Sequence, residues 1–229
     1  MRRYATAFMV ATAGLAATAA TAQAATVGFA PGKACYIGGD MVTVQGTGYT
    51  PGGPVEITID GTSLGQIPAT DAAGSFSNGL TLGVFKGAKA HTVTATDVAN
   101  PALTASAQFM ATTRQVTVKP KHAHAGKKLK LRGYGFVSGP NAYMHVRGHG
   151  YRKDTRVGKP SGPCGQWSGK RKIVPTSAAA GAYNVQFDHK KRFSKKTKPR
   201  VRGTMTVTRT FSSTAFGGAS PLYTWTQVG

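Results

Sequence analysis

Acidic residues are scarce in this chain: 7 Asp+Glu stand against 29 Lys+Arg in 229 residues, a formal net charge of +22 at pH 7. Chemistry by paired carboxylates therefore has little to draw on. No Gly-x-Ser-x-Gly elbow stands in a plausible site, and phosphoryl-transfer motifs are absent. Beyond residue 24 no apolar run approaches 18 residues, so no membrane-spanning helix is expected there. Cysteine is limited to Cys35 and Cys164, too few for a disulfide-built scaffold. These shortages point away from an enzyme and away from an integral membrane protein.

What is present is glycine (30 residues) and a hydrophobic content of 40%, which exclude a fully disordered polyelectrolyte and favour a turn-rich β protein. The first residues read as an export signal: Arg2 and Arg3, an uncharged Ala-rich stretch from Tyr4 to Ala20, and Ala22-Gln23-Ala24 as a small-x-small cleavage site. The expected division is a cleavable signal peptide at 1–24, a near-neutral domain at 25–113, a strongly basic domain at 114–210 and a neutral tail at 211–229. The tail is expected to be either a last strand or a free end.

The two domains are copies. Gly39-Asp40-Met41-Val42-Thr43-Val44-Gln45-Gly46-Thr47-Gly48-Tyr49 aligns with Gly126-Lys127-Lys128-Leu129-Lys130-Leu131-Arg132-Gly133-Tyr134-Gly135-Phe136, with glycines coinciding at three positions. At the same offset Val55–Gly61 meets Ala142–Gly148; after small slips Gly74–Ser77 meets Gly165–Ser168, and His91–Asp97 meets Tyr183–Asp188. Four ordered matches indicate a duplication. Within each copy the apolar residues alternate (Val42/Val44, Ile57/Ile59, Leu129/Leu131, Met144/Val146), the signature of half-buried strands. Around seven short strands per copy predict two tandem immunoglobulin-like β-sandwiches, an all-β fold. Phe76 and Trp167 are the expected aromatic core plugs.

The V-x-V-x-G-x-G-Y/F run at Val42–Tyr49 and Leu129–Phe136, with Thr50-Pro51-Gly52 and Ala73-Gly74-Ser75-Phe76 after the first, resembles the IPT/TIG-like bacterial immunoglobulin-like modules of secreted actinobacterial proteins. The resemblance implies the fold over most of residues 30–210. For function it implies only the roles such modules serve: spacer, adhesion unit or appendage to an enzyme.

Charge divides the copies. From Ala25 to Thr113 three lysines meet five acids; from Arg114 to Thr210, 24 Lys+Arg meet only Asp154 and Asp188. Such self-repulsion is most easily understood if a polyanion is the partner: an anionic cell-wall polymer, nucleic acid or an anionic lipid surface. By strand alternation Lys128, Lys130 and Arg132 share an outer face, and Tyr143, His145 and Arg147 are expected to point outward on the neighbouring run. The densest stretch is 190–202, with Lys190, Lys191, Arg192, Lys195, Lys196, Lys198, Arg200 and Arg202. Further clusters lie at Arg152–Lys159 and Lys170-Arg171-Lys172. Tyr134, Tyr143, Tyr151 and Phe193 offer rings for stacking, or for packing.

His122-x-His124 and His145-x-x-x-His149 are close pairs, yet no acidic or thiolate cluster completes a metal site, and they read as exposed polar residues. No cofactor is expected. In an oxidising compartment Cys35 and Cys164 pair across the two copies, remain free, or bridge two molecules. The resulting expectation is an exported, non-enzymatic binding protein whose second copy docks on an anionic envelope polymer. The alternatives are a structural spacer whose charge is incidental and a cationic effector acting on nucleic acid or membranes.

Overall fold

The computed structural model describes residues 24–208 and 222–228; the expected export signal, up to residue 23, lies outside the described residues. The first sandwich holds β1 (Thr26–Ala30), β2 (Tyr36–Ile37), β3 (Met41–Thr47), β4 (Val55–Ile59), β5 (Thr62–Ile67), β6 (Phe76–Thr81), β7 (Ala88–Asp97) and β8 (Thr104–Thr112). The second holds β9 (Gln115–Lys119), β10 (His122–His124), β11 (Lys128–Tyr134), β12 (Ala142–Gly148), β13 (Tyr151–Gly158), β14 (Trp167–Lys172), β15 (Gly181–Asp188), β16 (Val201–Thr208) and β17 (Leu222–Val228). Among the described residues there is no α-helix, as the period-two patterning predicts.

The sheets repeat as the sequence does. A three-stranded sheet β1-β3-β6 faces a five-stranded sheet β2-β8-β7-β4-β5 in the first sandwich; β14-β11-β9 faces β10-β17-β16-β15-β12-β13 in the second. The one topological change is an insertion. In the first sandwich β2 pairs in parallel with β8, whereas in the second β17 enters between β10 and β16 and pairs antiparallel with both. Residues 222–228 thus belong to the second sandwich, and the sequence boundary at 210 cuts off a strand of its sheet. Trp225 on that strand is buried against Phe187.

Alternation fills the cores. Val42, Val44, Val55, Ile57, Val93 and Phe109 close the first; Leu129, Leu131, Met144, Val146, Val185 and Phe187 close the second. Each such side chain contributes roughly 1.5–3 kcal/mol relative to solvent exposure. Phe76 and Trp167 are both buried, as expected. The motif glycines explain how these rings fit: a Cβ on Gly133 would run into the Trp167 indole, and one on Gly46 into the Phe76 ring.

The copies are joined by two residues, Thr113 and Arg114, between the end of β8 and the start of β9. Thr113 Oγ1 accepts from the Phe85 N–H at 2.7 Å, and Arg114 Nε donates to Gly135 O at 3.1 Å. A disulfide between Cys35 and Cys164 makes a second connection, with Cα atoms 5.1 Å apart. Of the three fates open to the cysteines, the structure has the intramolecular pair.

Candidate polyanion-binding surfaces

The three-stranded sheet of the second sandwich presents a lysine face. Leu129, Leu131, Val116, Val118 and Trp167 are buried beneath it, so the alternate positions face solvent. Register then brings the cations together. Lys130 lies directly opposite Lys119 on one side and Lys170 on the other, and Lys128 lies opposite Lys172. Arg132 continues the row, opposite Thr117 and Ser168. Strand spacing puts neighbouring members of the Lys119–Lys130–Lys170 row about 5 Å apart at the backbone. Lys119, Lys128, Lys130, Arg132, Lys170 and Lys172 are all exposed, and among the described residues none is ion-paired. At the Arg132 end a depression of about 410 Å³ is lined by Lys159, Tyr134 and Gln166.

A second surface lies on the outer face of the six-stranded sheet. A groove of about 820 Å³ runs over β12, β13, β15 and β16 and is bounded by the basic segment after β15. Arg152 stands opposite Arg147, and Asn184 opposite Thr204; Arg202 and Lys195 complete the polar lining.

The basic segment is packed down rather than free. Phe193 lies over the Arg147 guanidinium, 4.5 Å from the ring centre, and 5.8 Å from the His145 ring. Gln186 Nε2 donates to Ser194 O at 2.9 Å, and the Lys190 N–H donates to Asp188 Oδ1 at 2.7 Å. Arg200 donates to Lys195 O and Thr197 O, and Arg202 Nη2 to Lys195 O at 3.1 Å. Lys190, Lys191, Arg192, Lys195, Lys196 and Lys198 stay exposed on its outer side, while Arg200 is half-buried.

This covering corrects the reading of β12. Tyr143, His145 and Arg147 do occupy the outer face, but His145 is fully buried under the segment instead of exposed. Its Nδ1 lies 2.9 Å from Asp154 Oδ1 and its Nε2 3.2 Å from Asp188 Oδ1. Burial alone would lower the His145 pKa; the hydrogen bonds and charges of the two aspartates prevail and raise it above the ordinary value. Burial likewise opposes the ionised carboxylates, but His145 with Gln186 at Asp188, and with Arg147 at Asp154, holds both below the usual range. Arg147 is therefore a paired cation, bound to Asp154 and to the carbonyls of Val146 and Lys153.

The other candidate rings are only partly accessible: Tyr134, Tyr143, Tyr151 and Phe193 are all half-buried, and Tyr151 packs on Tyr183. His122, His124 and His149 are exposed. Gly61-Thr62-Ser63-Leu64-Gly65 has the spelling of a nucleophile elbow, but it lies in the exposed β4–β5 hairpin, where Ser63 Oγ accepts from the Gly65 N–H. Sequence reasoning did not include Lys119 in the lysine face; the signal was its place two residues after Thr117 on an alternating strand, and only the register makes it a neighbour of Lys130.

No protein-family model and no curated protein matches the chain. Among solved structures it is similar to the human OSCAR ligand-binding domain at 12% identity, covering 79% of this chain and 94% of that one, with a TM-score of 0.28. It is similar to red sea bream transglutaminase at 13% identity, covering 72% of this chain and 29% of that one, TM-score 0.27. A tetra-tandem repeat from the extending region of a large adhesion protein gives 18% identity, 90% and 63% coverage and a TM-score of 0.27. The class is defined by the sheets themselves: tandem immunoglobulin-like β-sandwiches clasped by one disulfide.

Proposed function

We propose that the protein is exported and acts as a non-enzymatic binding protein, its basic sandwich docking on an anionic polymer of the cell envelope. The near-neutral sandwich then serves as spacer or protein-contact module, a role shared by the IPT/TIG-like modules that the glycine motif resembles. The observation that carries this reading is the Lys119–Lys130–Lys170 row: three like charges directly opposed across three strands destabilise a sheet that has no acid to relieve them. A polyanion laid across the row removes that repulsion and releases its own counterions. The disulfide accords with an oxidising, extracellular setting.

The test is binding of the full disulfide-bonded chain to purified wall polymer, duplex DNA and anionic vesicles across a salt series. Retention on wall polymer at salt that releases the other two supports the reading; release of all three at one modest salt overturns specific envelope docking. Charge reversal at Lys190, Lys191, Lys195 and Lys196 is expected to weaken binding more than reversal at Lys86 and Lys89, all of them exposed. Equal effects overturn the assignment to the second sandwich.

A further inference from the structure

We propose that the groove on the six-stranded sheet is a phosphate-selective subsite, taking one phosphodiester unit of a polyol- or sugar-phosphate polymer. The inference rests on the polyanion-docking reading and names the anion chemistry that reading leaves open. At about 820 Å³ the groove falls within the roughly 300–1,000 Å³ of ligand sites. No carboxylate lines it. Arg147 is neutralised by Asp154, which leaves Arg152, Arg202 and Lys195 as cations that no acid offsets among the described residues.

These three come from different elements: β13, β16 and the basic segment. Arg202 is held in place by its bonds to Gln186 Oε1 and Lys195 O, so little freedom is lost when its remaining donors meet a ligand. Asn184 and Thr204, opposed on β15 and β16, add an amide and a hydroxyl to the floor. Donors lining one groove from three elements suit a tetrahedral anion with acceptor oxygens in several directions; a planar carboxylate satisfies one fork and leaves the others unmet. The lysine face on the opposite sheet, made mainly of point-like ammonium charges, has no such geometry. The aromatic residues of the groove favour a polyol or sugar backbone over a nucleic acid. The Tyr151 ring is packed on Tyr183 and the Phe193 ring on Arg147, so neither is an open platform for a base.

The experiment is calorimetric titration of the full disulfide-bonded chain with three oligomers of matched charge: glycerol phosphate, galacturonate and thymidylate. The parent is expected to bind glycerol phosphate at least about tenfold more tightly than galacturonate, some 1.4 kcal/mol of discrimination. The doubly substituted Arg152→Lys/Arg202→Lys chain keeps every charge and is expected to lose that preference while retaining its galacturonate affinity. Asn184→Leu, at an exposed floor position, removes the amide without changing the charge and is expected to weaken glycerol phosphate binding selectively even if the double variant proves unstable. Equal affinity of the parent for the phosphate and carboxylate oligomers overturns the subsite while leaving salt-dependent docking intact. Preference retained in both variants also overturns it, and tighter binding of thymidylate reassigns the groove to nucleic acid. Failure of all three oligomers to bind even at low salt removes the docking reading together with the subsite.

Discussion

Asp188 and His145, both with fully buried side chains, face each other at 3.2 Å in the one domain of this protein that is otherwise almost free of acid. The only other acid of the described basic sandwich, Asp154, closes on the opposite ring nitrogen at 2.9 Å. A neutral imidazole has a single N–H, so acceptors on both nitrogens call for the imidazolium. The sandwich thus stores a buried cation between its two acids, underneath a segment of exposed lysines. Removing one partner strands charge in the interior. Asp188→Asn or His145→Leu should each cost about 3–5 kcal/mol in urea unfolding, whereas exposed substitutions such as Lys198→Gln should stay within about 0.5 kcal/mol. A loss below 1 kcal/mol for either buried variant would contradict the charged triad.

The pH dependence follows from the directions of two shifts. His145 is raised, so its contribution is full below the unfolded value near 6.5 and is lost as pH climbs through the raised folded value. His189 is lowered, chiefly by burial, so its contribution is full above about 6.5 and is lost as pH falls through the lowered folded value. NMR titration of the two imidazoles should place them on opposite sides of about 6.5. Unfolding midpoints of the parent should fall on the alkaline side, and His145→Gln should abolish that fall. An alkaline decline that persists in the variant assigns it to another group.

Much of the architecture was legible because two-residue alternation and repeated glycines report on local constraints that each copy satisfies by itself. Val42/Val44 and Leu129/Leu131 had to turn inward and Phe76 and Trp167 to plug the cores; that Gly46 and Gly133 make room for those two rings emerges only from the structure. What escaped the sequence was non-local. Alternation correctly set His145 on the outer face of β12, but nothing in the strand itself reveals that Phe193 and its neighbours lie on top of it. The same holds for Lys119, whose partnership with Lys130 depends on register. Leu222–Val228 carries no charge and has no counterpart in the first copy, so the repeat does not announce its insertion between β10 and β16.

The clasp between the sandwiches gives a third prediction. Cys35 and Cys164 are 129 residues apart in sequence, while the direct connection is only Thr113 and Arg114. Constraining so long a loop is worth up to about 4–5 kcal/mol in the chain-entropy account. Both cysteines are buried, but neither belongs to the hydrophobic cluster of its sandwich, so reduction should leave both sandwiches folded but uncouple them. Calorimetry of the Cys35→Ser/Cys164→Ser chain should show two separated transitions where the oxidised parent unfolds in a more cooperative one. Identical thermograms would mean that the disulfide adds no coupling.

Trp225 tests whether β17 is integral to the second sandwich. Its indole is buried against Phe187 and covers Gly203, where a Cβ would meet the ring. Trp225→Ala should cost about 3–5 kcal/mol, as for other large core aromatics. Gly203→Ala should also destabilise, because the close approach leaves no room for a methyl group. Truncation after Thr208 removes the whole strand and leaves β16 and β10 without their partner, so it should cost more than Trp225→Ala. Chemical denaturation followed by fluorescence of the remaining tryptophan, Trp167, measures the truncated protein.

Lys130 is where stability and binding should move in opposite directions. It stands between Lys119 and Lys170, directly opposite both, so Lys130→Gln removes two repulsive pairs at once. Each such pair is worth about 0.2–1 kcal/mol, so the variant should be more stable than the parent at low ionic strength. Near 1 M salt, where the screening length shrinks to about 3 Å, the advantage should vanish. Binding should respond the other way. Loss of one phosphate contact lowers the slope of log affinity against log salt by about 0.9 for a duplex-like polyanion and weakens binding most at low salt. A variant that is stabilised but binds normally would locate docking elsewhere on the sandwich. One that binds weakly without being stabilised would mean that the row is not under electrostatic strain, which is the observation from which the docking function is argued.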